Sequence, residues 1–307
     1  GVLACVGDST NVFVEGQSGS EASLLNSLSQ LISEATGKVA VTCFSSNIAR
    51  LKTIFKAASI NQRVVVLVGR SLWRITAAAR ETGYLLDLPP FLEAADVQHL
   101  SNKEILYICT GSQGEPRAAL SKIATGNHPE IKLGEGDSVI FSSRIIPGNE
   151  LVIGRLQNKL VQKGIKVITE HNESIHVSGH PARADLIKMY QLIRPRISIP
   201  VHGEQRHLVK HVSLAKDCQV PEPVLVKNGS VVKLAPGPAA IINEVDVGSF
   251  SAEGTRLNAL NSEVVKARSR IIYNGVAVLT LMIDENTNIV KKPKLTSHAL
   301  LDENETE

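Results

Sequence analysis

The residues able to do chemistry lie in short polar loops, each directly after an apolar run. The loops read Gly7-Asp8-Ser9-Thr10-Asn11, Thr110-Gly111-Ser112-Gln113-Gly114-Glu115, Ser142-Ser143-Arg144-Ile145-Ile146-Pro147-Gly148-Asn149-Glu150, His176-Val177-Ser178-Gly179-His180 and Pro200-Val201-His202-Gly203-Glu204. A histidine can ligate a metal ion when neutral and move a proton near neutral pH. A carboxylate such as Asp8 stabilises an imidazolium when the two meet. Ser178 and the backbone of Gly179 offer hydrogen-bond donors to phosphate oxygens, and glycine permits the close approach such contacts need. Each residue also has a plainer explanation. An aspartate after a strand is commonly a turn or helix-capping residue, and histidines in a Ser-Gly turn can be merely solvated. His207 and His211 stand four apart and could chelate a metal, but a surface helix rich in Lys and His explains them, and they are not assigned.

Loops of this kind need a scaffold that brings distant segments together. Val2 to Val6 reads as a strand. Ser18 to Glu21 then forms a capping-box pattern ahead of Leu24, Leu25, Leu28, Leu31, Ile32 and Ala35 at helical spacing. The alternation returns as a strand at Val39 to Phe44, a helix with Ile48, Leu51, Ile54 and Phe55 on one face, and the β-branched run Val64 to Val68 broken by Gly69. A helix from about Ser71 is expected to stop at Gly83 in a left-handed cap, with further strands at Ile105 to Cys109 and Ser138 to Ser142. Apolar strands separated by amphipathic helices imply an α/β protein with a parallel sheet flanked by helices. Ligands of such sheets bind beyond the carboxyl ends of the strands, where the five loops fall.

Composition sets outer limits. The 307 residues are 43% hydrophobic and 21% charged, which suits an ordinary folded protein of two domains or one large one. A net charge of +3 and a pI of about 8.6 are too mild to name a polyanionic partner by bulk charge. Cys5, Cys43, Cys109 and Cys218 are scattered with no Cys-x-x-Cys pair, which argues against disulfides and a zinc knuckle and fits a reducing cytoplasm. No apolar run approaches the ~20 residues needed to cross a bilayer. No signal peptide precedes the first strand, and the true beginning is expected upstream of Gly1.

In wording and order, the five loops resemble those of the ribonuclease J family, in the beta-CASP group of nucleic-acid-processing metallo-β-lactamases, and the match covers nearly the whole chain. The resemblance implies a partial metallo-β-lactamase αββα sandwich with an inserted beta-CASP α/β domain. Its segments would be 1–36 for the end of the first metallo-β-lactamase part, 37–170 for beta-CASP, 171–250 for the returning part, and 251–307 for a linker helix at Arg256 to Ser269 and the start of a further domain. It implies a metal-dependent ribonuclease that cuts RNA 5′-to-3′ and internally, with a 5′-monophosphate pocket between domains, no membrane partner and a homo-oligomeric complete protein.

By the same resemblance, His202 would ligate one of two zinc ions. Asp8 would sit outside the metal shell, bonded to His180, which would protonate the leaving oxygen. A positioned general acid is worth on the order of 10²- to 10⁴-fold. The run His176, Val177, Ser178, Gly179, His180 would contact substrate, joined by Ser143 and Arg144 and, less directly, by Ser45, Ser46 and Asn47. Thr110 to Glu115 lacks the Gly-Lys-Ser/Thr of a P-loop and reads as an interdomain or RNA-facing turn. The superfamily's His-x-His-x-Asp-His motif occurs nowhere in the sequence, so the chain in isolation is expected to be zinc-poor and inactive. One rival reading is a non-catalytic RNA-binding or scaffold remnant, and a second, enzymatic one is a cleaving subunit of messenger RNA 3′-end processing, which shares the architecture.

Overall fold

The computed structural model describes residues 1–170 and 173–298, in two compact units, Gly1–Leu225 and Val226–Glu307. In the first unit, strand β1 (Ala4–Asp8) is followed by helix α1 (Leu24–Glu34), β2 (Val39–Thr42), α2 (Ile48–Ile60), β3 (Val64–Val68) and α3 (Arg70–Glu81). There follow β4 (Ile105–Cys109), α4 (Ala119–Thr125), β5 (Ser138–Phe141), α5 (Glu150–Val161), β6 (Lys166–Ile168), α6 (Arg183–Ile193), β7 (Ile197–Val201), α7 (Gln205–Asp217) and β8 (Glu222–Pro223).

Strands β2 to β6 form one parallel sheet in the order β3-β4-β2-β5-β6. Alternate residues of its strands serve two separate cores. Val39, Val41, Leu106 and Ile108 pack with Leu28, Ile32, Leu51 and Ile54 of α1 and α2. Ala40, Tyr107, Cys109 and Val139 pack with Leu120, Ile123, Leu156 and Leu160 of α4 and α5. The period-2 alternation of a strand thus buries both faces. Gly69 ends β3 at φ +132°, where a Cβ would lie 2.7 Å from the Thr110 side chain, so the turn needs glycine. The expected capping box is replaced by a short 3-10 turn capped by Ser20, because Glu21 is drawn away into an ion pair with Arg50.

A second parallel sheet, β1-β7-β8, pairs Asp8 with Val201 and so sets the chain's first loop beside the loop after β7. Two small cores, centred on Val12, Leu186 and Leu214 and on Tyr190, Ala215 and Val220, join this sheet region to α6 and α7.

In the second unit, β9 (Ser230–Lys233) pairs with β10 (Ala240–Glu244), β11 (Phe250–Glu253) with β12 (Arg256–Ala259), and β13 (Val276–Thr280) with β14 (Lys294–His298), all antiparallel. The first unit ends at Leu225, short of 250, because β9 and β10 pair with each other and with neither parallel sheet. The helix expected from Arg256 to Ser269 begins later, as α8 (Glu263–Asn274). Residues 256–259 are instead tied to β11 across a turn at Gly254, φ +56°. None of the described apolar side chains of this unit is buried. The acidic stop expected at Asp302 to Glu307 lies outside the described residues. Among the described residues no helix is long and apolar enough to cross a membrane.

Candidate active site

Pairing of β1 with β7 carries Asp8 to His202, and the loop before α6 brings His180 to the same point. Asp8 Oδ2 accepts a hydrogen bond at 2.6 Å from His180 Nδ1, 172 positions away, and lies 3.2 Å from His202 Nδ1. The two imidazoles stack, with centroids 5.2 Å apart and planes 20° from parallel. The expected contact between Asp8 and His180 is therefore present, and the same carboxylate oxygen also faces His202. The three residues offer ligand atoms that all lie within 4.8 Å of one another. His180 is 41% exposed and His202 65%, so the cluster opens to solvent.

Asp8 is held from its own loop as well, since the Thr10 backbone N–H donates to Oδ1 at 2.7 Å in an Asx turn. Partial burial works to raise its pKa, but the hydrogen bonds from His180 and Thr10 outweigh that and keep it below the ordinary carboxylate value. Thr10 Oγ1 donates to the His202 carbonyl at 3.0 Å and sits 2.9 Å from His202 Nδ1. His202 has φ +56°, a left-handed backbone that a non-glycine residue seldom adopts and that clusters at functional sites. The next residue, Gly203, packs so closely that a Cβ would lie 2.8 Å from His207 Cβ and 3.3 Å from Ser9 Cβ.

The 176–180 run divides into an inward and an outward half. His176 points inward, with Arg50 Nη1 donating toward its Nδ1 at 3.4 Å. Burial and the Arg50 charge push its pKa down to about 4, so it is neutral at pH 7. Val177 packs on the larger core. Ser178 Oγ accepts from Asn11 Nδ2 at 2.9 Å and from the His180 backbone at 3.1 Å, which leaves its own hydrogen for another acceptor. Gly179 is exposed, with nothing within 4 Å of where a Cβ would stand, and faces a cavity shared with Ser46 and Asn47. Asn47 is already committed, capping α2 through Arg50 N and donating to Glu21. Ser143, expected at the substrate, is only 4% exposed, whereas Arg144 is exposed.

Sequence reasoning passed over several residues that hold these loops. Asn11 and Ser18 both donate to the His180 carbonyl, at 3.1 and 2.7 Å, and Ser18 Oγ also accepts from Ala182 N. The dense Asp-Ser-Thr-Asn run after a strand was the available signal. Arg50 is 1% exposed, forks onto Glu21 and donates to Ser142 O and Oγ. The Thr110–Glu115 loop braces the loop that follows β5. Buried Gln113 donates to Arg144 O and accepts from Ile146 N and Asn149 Nδ2, fixing the neighbouring loop. His211 is fully buried, contrary to the surface-helix reading, and His207 accepts from Glu204 N at the start of α7 while meeting Phe13 edge-on.

Residues 36–160 match the family model described as Ribonuclease J, beta-CASP domain, and residues 164–222 match that described as Zn-dependent metallo-hydrolase RNA specificity domain. Among curated relatives, Ribonuclease J of Sinorhizobium meliloti is 39% identical over 95% of this chain and 52% of its own length. Ribonuclease J of Mycolicibacterium smegmatis is 38% identical over 91% of this chain and 50% of its own, and that of Synechocystis 33% over 96% and 46%. The chain thus spans about half the length of the curated relatives it matches. The first family model covers β2 through α5, and the second covers the segment that carries both His180 and His202. With relatives matched along nearly the whole sequence besides, the chain belongs to the ribonuclease J family.

Proposed function

We propose that this chain supplies one side of a zinc-dependent RNA phosphodiesterase site, in a cytoplasmic, homo-oligomeric protein that degrades RNA from the 5′ end and also cuts internally. The observation that carries the reading is a single carboxylate oxygen within 2.6 and 3.2 Å of ring nitrogens from two separate loops. Two imidazoles and a carboxylate are donors that zinc takes, so the cluster fits the metal that the family description names. His202 would hold zinc, and Asp8 is near enough to share it, a role beyond the orienting one expected from sequence. A pair of ions, each with three or more protein ligands, needs more donors than these. When bound, zinc supplies Lewis-acid stabilisation of phosphoryl charge and lowers the pKa of water.

The chain's own groups account for the rest of the chemistry. His180, with Nδ1 taken by Asp8, presents Nε2 as the proton donor to the leaving 3′-oxygen. A poor alkoxide leaving group makes that proton valuable. Asp8 stays ionised and fixes the ring. The uncommitted Ser178 hydrogen and the open backbone at Gly179 receive a phosphate oxygen, and Arg144 adds charge at the rim. His176, neutral and turned inward, orders the segment.

The test uses the full-length protein. His180→Ala is expected to lower turnover of RNA by about 10²- to 10⁴-fold with zinc content near normal, whereas His202→Ala loses zinc together with activity. A substrate with an activated leaving group should recover much of the His180→Ala defect. Equal zinc loss in both variants would overturn the division between acid and ligand. RNA binding without cleavage under any divalent metal would favour the non-catalytic remnant.

A further inference from the structure

Behind the site runs a buried chain of polar side chains for which the reaction has no direct use. Ser9 Oγ lies 2.8 Å from His211 Nδ1, His211 Nε2 lies 2.8 Å from Tyr190 Oη, and Tyr190 Oη lies 2.6 Å from Ser198 Oγ. Ser9, His211 and Ser198 are 0% exposed and Tyr190 is 4%. Leaving such groups unsatisfied in an interior costs about 1–3 kcal/mol each, so the chain holds together as a unit. Each member lies beside a site residue or on an element that adjoins the loop bearing one. Ser9 follows Asp8. Tyr190 stands on α6, the helix that the His180 loop opens. Ser198 lies on β7, which leads to His202, and His211 stands on α7, which begins just after it.

We propose that His211 is the positioning residue of this site, a hub whose two nitrogens lock the Asp8 loop to the elements that adjoin His180 and His202. Contacts on both sides of Ser9 fit the assignment. A Cβ on Gly7 would meet the His211 ring at 3.4 Å, and Ser9 Cβ stands against Gly203, the neighbour of His202. Burial pushes the His211 pKa down to about 4 against a smaller opposing pull from the Asp8 charge. A neutral ring donates from one nitrogen and accepts at the other, so the three hydrogen bonds run in one direction through it. Ser9 is the link that reaches catalysis; Tyr190 and Ser198 anchor the far side.

Two neutral substitutions separate this role from simple packing. The side-chain amide of His211→Asn reaches the place of Nδ1 and keeps the Ser9 contact, while that of His211→Gln reaches the place of Nε2 and keeps Tyr190. In the full-length protein, His211→Gln is expected to lower kcat for RNA by about 10- to 100-fold with little change in KM, and His211→Asn to retain most of it. Ser9→Ala should reproduce the Gln defect. The catalytic arm rests on the proposed function, so a second readout is taken on metal-free protein: hydrogen exchange of the Thr10 amide, which Asp8 Oδ1 holds. That amide should exchange faster in His211→Gln and Ser9→Ala than in His211→Asn, against an α2 amide as control. If the protein proves not to cleave RNA, the proposed function falls, and the exchange result still decides the positioning role. Equal effects in Asn and Gln variants, or none in either, would overturn it.

Discussion

Replacing Arg50 by Met is expected to destabilise the Gly1–Leu225 unit by about 3–4 kcal/mol, although Arg50 touches neither Asp8 nor His202. The guanidinium is 1% exposed and spends its donors on both Glu21 oxygens at 2.8 and 2.9 Å, Ser142 O at 2.6 Å, Ser142 Oγ at 2.8 Å and, at 3.4 Å, His176 Nδ1. Met fills much of the aliphatic volume but strands the rest. Breaking a buried pair costs roughly 3–5 kcal/mol, and a carboxylate that is 26% exposed and still bonded to Asn47 falls at the low end. Loss of the Arg50 donor at the Ser142 carbonyl adds about 1 kcal/mol. Because Ser142 Oγ also donates to Ile175 O at 2.7 Å, the damage reaches the 176–180 run, and turnover should fall with stability. Denaturant unfolding measures the loss. Arg50→Met combined with Glu21→Leu should recover at least half of it, since apolar residues leave no unpaired charge. A single-variant loss under about 1 kcal/mol, or a double variant no better than the single, would refute the reasoning.

Between pH 6.5 and 4 the protein should lose stability steadily. His176 and His211 both titrate at about 4 when folded, against about 6.5 unfolded, so unfolding takes up protons in that window, and their contribution is complete above it. Denaturation midpoints across that range should rise with pH, and His211→Asn should remove about one proton from the slope. Gly203→Ala should cost about 1–3 kcal/mol by forcing a Cβ to 2.8 Å from His207 Cβ; calorimetry showing no change would mean that the His202 loop yields freely. Zinc titration of the 307-residue chain by itself should reveal at most one weakly held ion, lost in both His202→Ala and Asp8→Asn, and retention of tight zinc by either variant would contradict the cluster.

Much of the scaffold was legible because strand and helix periods differ and both recur cleanly. Val64 to Val68 and Ile105 to Cys109 are strands at the expected residues, and Gly83 takes φ +87° behind α3. Where sequence misled, the deciding interaction was long-range. His211, four residues from His207 and beside Lys210, looks like a surface residue, and only Ser9 and Tyr190, distant in sequence, make it a buried one. Ser143 reads as a loop hydroxyl at a strand end, yet the fold covers it. Glu21 looks like a capping acid until Arg50, a helix and a strand later in the first turn of α2, takes its charge. Local patterns name the elements, but they do not say which polar side chain finds its partner across the fold.

The pairing of β1 with β7 has a consequence for how the protein folds. Asp8 and His202 stand at the ends of two strands separated by about 190 residues, and joining the ends of a flexible loop of that length costs (3/2)RT ln n, about 5 kcal/mol, before any contact forms. A folded β3-β4-β2-β5-β6 sheet replaces most of that loop by a rigid span and removes much of the penalty. Site assembly is therefore coupled to an insertion that lends it few side chains. A cavity such as Leu106→Ala, deep between β2 and β3, should slow refolding of β1 onto β7 and weaken hydrogen-exchange protection across that strand pair.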